Sequence, residues 1–212
     1  MLQTALVAFT TFFATIGPLD TAALFPALTP QNSARERRAM ARKGCLIGTG
    51  ILLFFALFGE GVLRAFGITL PALRAAGGVL LLLIAVDMVF ARNSGGTTTT
   101  EDERAEAQAK PDISVFPLAT PLIAGPGAIG ASILLAADAQ HDPSRIAIVV
   151  AALLAVLLLT FLLLLAATQV QKLLGVTGLQ VIARVMGVLL AALAIQFLFD
   201  GIAASGLIRP TA

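Results

Sequence analysis

Asp20 sits inside the first long apolar run of the chain, three residues after Gly17 and two after Pro18. A carboxylate is costly in hydrocarbon, so an acid at this depth is read as functional by default. Its neighbours break helices. Proline removes an amide hydrogen bond and crowds an earlier carbonyl, and glycine permits the unwound backbone. A second break, Gly125-Pro126-Gly127, lies in a later apolar run that also holds Pro117 and Pro121. Where a helix restarts, its free N–H groups and partial positive charge favour an anion such as a carboxylate. Carbonyls freed before the break favour a cation or an ammonium, so a small zwitterion would satisfy both. The candidate binding residues for such a small-molecule substrate are Thr15, Gly17, Pro18, Asp20, Thr21, Thr120, Gly125, Pro126 and Gly127. Asp20 has two open roles, carrier of a coupling proton or cation and N-cap of the second half-helix. For Thr15, Thr21 and Thr120, helix–helix hydrogen bonding competes with substrate contact.

Residues this polar at such depth need a membrane around them, and the composition supplies it. The chain has 212 residues, 58% hydrophobic and 12% charged, with a mean hydropathy of +0.95. A soluble domain carries about 25% charged residues, so the lipid bilayer is the expected surroundings. Six apolar runs are long enough to cross roughly 30 Å of hydrocarbon: about Leu2–Leu28, Gly44–Phe66, Pro71–Ala91, Ser114–Ala137, Ser144–Thr168 and Val181–Ala203. They are continuous rather than alternating, which excludes a closed β-barrel. The expected fold is an all-α polytopic membrane protein with broken first and fourth helices. No Lys or Arg precedes the first run, so it is expected to be a retained span rather than a cleaved signal. The polar interval Thr29–Lys43 predicts a short amphipathic helix start. It carries Arg35, Arg37, Arg38, Arg42 and Lys43, which predicts both termini outside the cell.

The two halves echo each other. Ile16-Gly17-Pro18 matches Ala124-Gly125-Pro126, and Phe66–Thr69 matches Leu174–Thr177, both 108 residues apart; the segment from Arg74 matches that from Arg184 at an offset of 110. Three spans per half is an odd number, so the halves enter the membrane in opposite directions, the inverted-repeat plan of many secondary transporters. The expected organisation is a first three-helix repeat at 1–91, a flexible acidic linker at 92–112 and a second repeat at 113–212.

Other features point to no chemistry of their own. Glu60 and Arg64 are four apart and predict an ion pair on one helix face. Gly44, Gly48, Gly77 and Gly78 would suit a homodimer face. Cys45 and His141 are each the only residue of their kind, which rules out an intrachain disulfide. Asp138, His141 and Asp142 lack a supporting ligand set, so no metal is expected. No cofactor motif or nucleophile–base pair appears, and an enzyme is not expected. No basic face for nucleic acid is present.

TIGPLDTAALFPALTP, FGITLPALRAAGG, PLATPLIAGPGAIG and RVMGVLLAALAIQFLFDGI resemble the MarC family of six-span inner-membrane proteins, over nearly the whole chain except the linker. The resemblance implies residence in a bacterial or archaeal plasma membrane and transport of small neutral amino acids with coupling to protons. It places the site at Gly17, Pro18, Thr21, Gly125, Pro126 and Gly127. The chain departs from the family pattern at the first break, which often reads Asn-Pro, and Asp20 stands where a neutral polar residue is expected. The alternatives are a non-transporting scaffold or assembly protein, an exporter of another small metabolite, a lipid-modifying enzyme and a passive channel. Saturable solute flux separates a transporter from all but the exporter, which its cargo distinguishes.

Overall fold

The computed structural model describes residues 1–90, 110–139 and 142–206, and every element in them is helical. Five helices are long and apolar enough to cross a membrane, and a bent pair makes a sixth crossing. Residues 92–109 of the expected linker lie outside the described residues.

The first crossing is α1 (Leu2–Ile16) followed by α2 (Pro18–Leu28), with only Gly17 between them. The second, α3 (Ala34–Ala65), is one unbroken helix. It begins ten residues before the expected Gly44, and the reason is local. Ser33 Oγ accepts from the Glu36 amide at 3.3 Å while the Glu36 carboxylate accepts from the Ser33 amide at 2.7 Å. This reciprocal cap starts a helix, and nothing helix-breaking stands between it and the apolar run. At 1.5 Å per residue, 32 residues reach about 48 Å, so the charged first turns extend past the hydrocarbon. Arg64 pairs with Glu60 near its far end, as the spacing predicts.

The third crossing is α4 (Leu70–Phe90). The fourth is the bent pair α5 (Ser114–Ile123) and α6 (Pro126–Asp138), at 55° to each other. The fifth is α7 (Pro143–Leu165). The last is α8 (Ala167–Ala204), helical on both sides of Gly175 and apolar enough to span from Gln180. The stretch between the fifth and sixth apolar runs of the sequence is therefore largely helix. Gly67 and Gly175, equivalent positions of the sequence repeat, both take the left-handed conformation, with φ of 68° and 61°.

In lipid, helices associate through close packing rather than a hydrophobic drive, and small residues permit it. Here glycines set the pairings. A side chain on Gly44 would strike Leu118, one on Gly48 would strike Ile123, and one on Gly59 would strike Ile133, so α3 runs parallel to α5 and α6. On α8, Gly187 sits against Ala85 and Met88, and Gly201 against Pro71 and Ala75. On α4, Gly78 sits against Ala194 and Leu198. These two helices are therefore antiparallel. Gly77 faces Leu134 of α6. The four glycines expected to form a homodimer face thus contact other helices of the same chain. α1 and α2 pack on α7. The main core holds Phe12, Phe25, Ile123 and Leu153, and a smaller one under α4 and α8 holds Leu81, Ile84, Leu134 and Leu190.

Candidate functional site

At the first break one residue closes one helix and opens the next. The Gly17 N–H donates to Phe13 O at 3.1 Å, and Gly17 O accepts from the Thr21 N–H at 2.9 Å. Its φ of 58° is the left-handed region that favours glycine. Pro18 follows as the first residue of α2, where no N–H is needed.

The α2 N-cap is Gly17, with no side-chain cap, so of the two roles open to Asp20 the cap is not the one it takes. Asp20 lies in the first turn instead, with its carboxylate folded back towards Gly17. A Cβ on Gly17 would stand 3.2 Å from Asp20 Oδ2. The negative charge faces the positive end of α2, a favourable arrangement. Asp20 is half-buried and makes no hydrogen bond or ion pair among the described residues. It lines a cavity of about 10 Å³ with Phe13, Met88, Ile182 and Met186. A water needs about 10–15 Å³, so the space beside Asp20 has room for about one water.

The threonines of the first break turn inward to their own backbone. Thr15 Oγ1 donates to Thr11 O at 2.8 Å. Thr21 Oγ1 reaches back across the break to Ile16 O at 3.4 Å, covering a carbonyl that the interruption frees. Pro18 and Thr21 are buried.

The second break is longer than expected. α5 is a wide helix in which Leu118 N–H donates to Ile113 O at 3.1 Å and Ala124 N–H to Ala119 O at 2.8 Å, five residues back in each case. Phe116 and Thr120, each before a proline, have extended backbones, and the Phe116–Pro117 and Thr120–Pro121 peptides are cis. Ala124 and Gly125 then lead into α6, whose Ile129 N–H donates to Gly125 O at 3.0 Å. Gly125 and Gly127 are buried, whereas Thr120 and Pro126 are exposed. The irregular backbone of α5 turns Thr120 outward, so it does not join the buried members of the candidate site.

The two breaks approach each other where Thr15 meets Gly127. A Cβ on Gly127 would lie 4.0 Å from Thr15 Cβ, 3.1 Å from Ile84 Cδ1 and 3.2 Å from Leu81 Cδ2. Thr15 and Gly127 are thus brought together under α4. The Gly17–Asp20 side of the first break faces Met88, one turn further along α4, and the middle of α8. Sequence reasoning missed Thr11, fully buried and with a hydroxyl that has no hydrogen-bond partner among the described residues. Its signal was available: Thr11 and Thr15 are four apart and share a helix face. It also missed the role of α4, whose apolar stretch from Val79 to Val86 does not mark which residues cover the breaks.

One ion pair ties the two halves at one end, and another ties the first half to the linker at the other. Arg74 of α4 pairs with Asp138 of α6, and Gln196 Nε2 donates to Asp200 Oδ1 at 2.8 Å nearby on α8. At the opposite face Lys43 of α3 pairs with Asp112 at 2.7 Å. The Lys43 ammonium, with the Ser114 hydroxyl and amide, holds the Asp112 carboxyl down at about 2. Asp142 caps α7, accepting from the Ser144 amide at 2.9 Å and its hydroxyl at 2.5 Å, and these bonds hold it below the usual carboxylate range. Asp138 and Asp142 are therefore engaged in other contacts, and His141 lies outside the described residues. Among the described residues no cluster of three metal-ligating side chains occurs.

The family model for MarC family integral membrane proteins matches residues 2–205. A UPF0056 membrane protein of Methanocaldococcus jannaschii is 39% identical over 201 residues, covering 95% of this chain and 97% of the relative. The UPF0056 membrane protein YvbG of Bacillus subtilis is 36% identical over 194 residues, with 92% of each chain covered. One from Aquifex aeolicus is 33% identical over 198 residues, covering 92% of this chain and 90% of the relative. No solved structure matches at a significant level. With a family model spanning almost its full length and relatives aligned end to end, this chain belongs to the MarC family of integral membrane proteins.

Proposed function

We propose that this MarC-family protein is a secondary transporter of small neutral amino acids in a bacterial or archaeal plasma membrane, with both termini outside and Asp20 carrying a coupling proton or cation. The observation that carries the reading is the contact of Thr15 with Gly127. Two interrupted crossings meet there, and interrupted backbone at membrane depth persists where protein or a cavity satisfies it. Half-helix N–H groups at the start of α2 and α6 hold the substrate carboxylate, and carbonyls freed before each break face its ammonium. The pairings support a two-repeat plan. α3 with α5–α6, and α7 with α1–α2, are equivalent partners under exchange of the halves 1–91 and 113–212, and α4 pairs with its own counterpart α8.

The narrow space beside Asp20 corresponds, in this reading, to a state with no room for substrate. Loading requires Met88 of α4 and Ile182 and Met186 of α8 to move away from Gly17. The test is counterflow of labelled alanine or serine in proteoliposomes. Wild type exchanges saturably, and Gly127→Leu, which fills the contact, exchanges at least about tenfold more slowly, the loss of roughly 1.4 kcal/mol. No saturable exchange in wild type, or an undiminished rate in Gly127→Leu, would overturn the reading and favour a scaffold.

A further inference from the structure

A cleft of about 170 Å³ opens at the face where α3 begins, at the end of α2 away from the first break. Its floor is apolar: Phe25, Pro26, Leu164 and Leu165, from the ends of α2 and α7. Its rim is polar and positive: Arg37 and Arg38 from the first turns of α3, and Thr168 and Gln169 from the first turn of α8. The volume is well above the roughly 10–15 Å³ a single water needs.

Three features favour an anion at the cleft, and the full charges of its two arginines outweigh the partial negative ends of α2 and α7 that also reach it. Arg37 is preorganised, since its Nε and Nη2 both donate to Thr29 O, at 3.1 and 2.6 Å, which fixes the guanidinium at the rim. Arg38 beside it is exposed and has no partner among the described residues. The α8 N-terminus has no side-chain cap, and its first residues line the cleft. Uncapped amides at a helix start carry partial positive charge and suit phosphate. Arginine adds a planar fork matched to phosphate oxygens. Glu36, the acid on the same turn of α3, is engaged with Ser33 in the helix cap.

We infer that this cleft binds a phosphate group, the chemistry of an anionic phospholipid headgroup at the membrane surface. The layout fits a lipid: α2 and α7 end at the cleft, which places its apolar floor at the edge of the hydrocarbon and its arginines at headgroup level. The occupant would bridge α3 and α8 and brace the start of α8, a helix that reaches the region of Asp20 through Ile182 and Met186.

The experiment is thermal stability and native mass spectrometry of the purified full chain, titrated with phosphatidylglycerol, phosphatidylcholine or inorganic phosphate. Wild type should retain phosphatidylglycerol over phosphatidylcholine. Arg38→Gln, which removes an unpartnered side chain, should weaken that retention about tenfold, the size of a lost charge-assisted hydrogen bond. Arg35→Gln with Arg42→Gln removes more charge from the same helix outside the cleft, and should leave retention within about twofold of wild type, as screened exposed charges do. Binding of inorganic phosphate alone, lost in Arg38→Gln, would keep the site and assign it to a soluble phosphate. Equal retention of both lipids with no phosphate binding, or equal losses in the Arg38 and Arg35/Arg42 variants, would overturn the inference.

Discussion

Thr15 on α1 and Gly127 on α6 lie side by side, close enough that a Cβ on Gly127 would stand 4.0 Å from Thr15 Cβ. These residues belong to the two interrupted crossings, 112 positions apart in the chain, and they meet beneath Leu81 and Ile84 of α4. The contact tolerates little growth. Gly127→Ala places its methyl near the tips of two flexible side chains that can yield, and is expected to fold with a loss of at most about 1 kcal/mol. Gly127→Leu overpacks the junction and is expected to cost about 1–3 kcal/mol. Thermal unfolding in detergent ranks the two.

The α4–α8 interface is less forgiving, because there the obstacle is backbone. A Cβ on Gly78 would meet Ala194 O at 2.7 Å and Leu198 N at 2.8 Å. Gly78→Ala forces the helices apart and is expected to destabilise by about 1–3 kcal/mol. Gly50 on α3 has nothing within 4 Å. Gly50→Ala should be neutral or stabilising by up to about 1 kcal/mol through helix propensity. An unchanged melting temperature for Gly78→Ala would contradict the packing described.

Much of this was legible from residue types. Gly17-Pro18 and Gly125-Pro126 announced both interruptions because proline and glycine act on the local backbone whatever surrounds them. Glu60 and Arg64 announced their pair because helix spacing places them together. What could not be read depended on partners. Gly44, Gly48 and Gly78 signal close packing without saying against what, and they pack within the chain. Thr120 looked like a site residue, but two prolines widen α5 and remove the regular period that would fix its direction. The helix start within Thr29–Lys43 was legible, but its unbroken run into the second crossing was not, because the change from charged to apolar residues marks a boundary of surroundings and not of backbone. Asp20 was legible as unusual, and its position in the first turn rather than at the cap became evident only from the Gly17 conformation.

The Arg74–Asp138 pair joins α4 to α6 across the two halves. Arg74 is largely sheltered, whereas Asp138 is about half exposed, so the pair is expected to contribute about 1 kcal/mol or less. Arg74→Ala should lower the melting temperature slightly, and Arg74→Asp with Asp138→Arg should recover part of the loss. A double variant worse than the sum of Arg74→Asp and Asp138→Arg alone would argue against a direct pair.

Asp112 links pH to the opposite face. Its folded value of about 2 lies below the ordinary 3.8. A depressed carboxyl stabilises the fold above its unfolded value and loses that contribution as pH falls through the folded one. The Lys43–Asp112 tie should therefore be complete above about pH 4 and lost towards pH 2. Both partners are about half exposed, so the effect should stay under about 1 kcal/mol. Asp112→Asn should melt below wild type at neutral pH and converge with it near pH 2; a constant gap across that window would contradict the assignment.

The proposed role of Asp20 is tested most directly by amino acid uptake into proteoliposomes under an imposed pH gradient, comparing wild type with Asp20→Asn. The account predicts gradient-driven accumulation in wild type, and in the variant exchange without accumulation, because a carboxamide cannot load and release a proton. Equal accumulation by both proteins would contradict it.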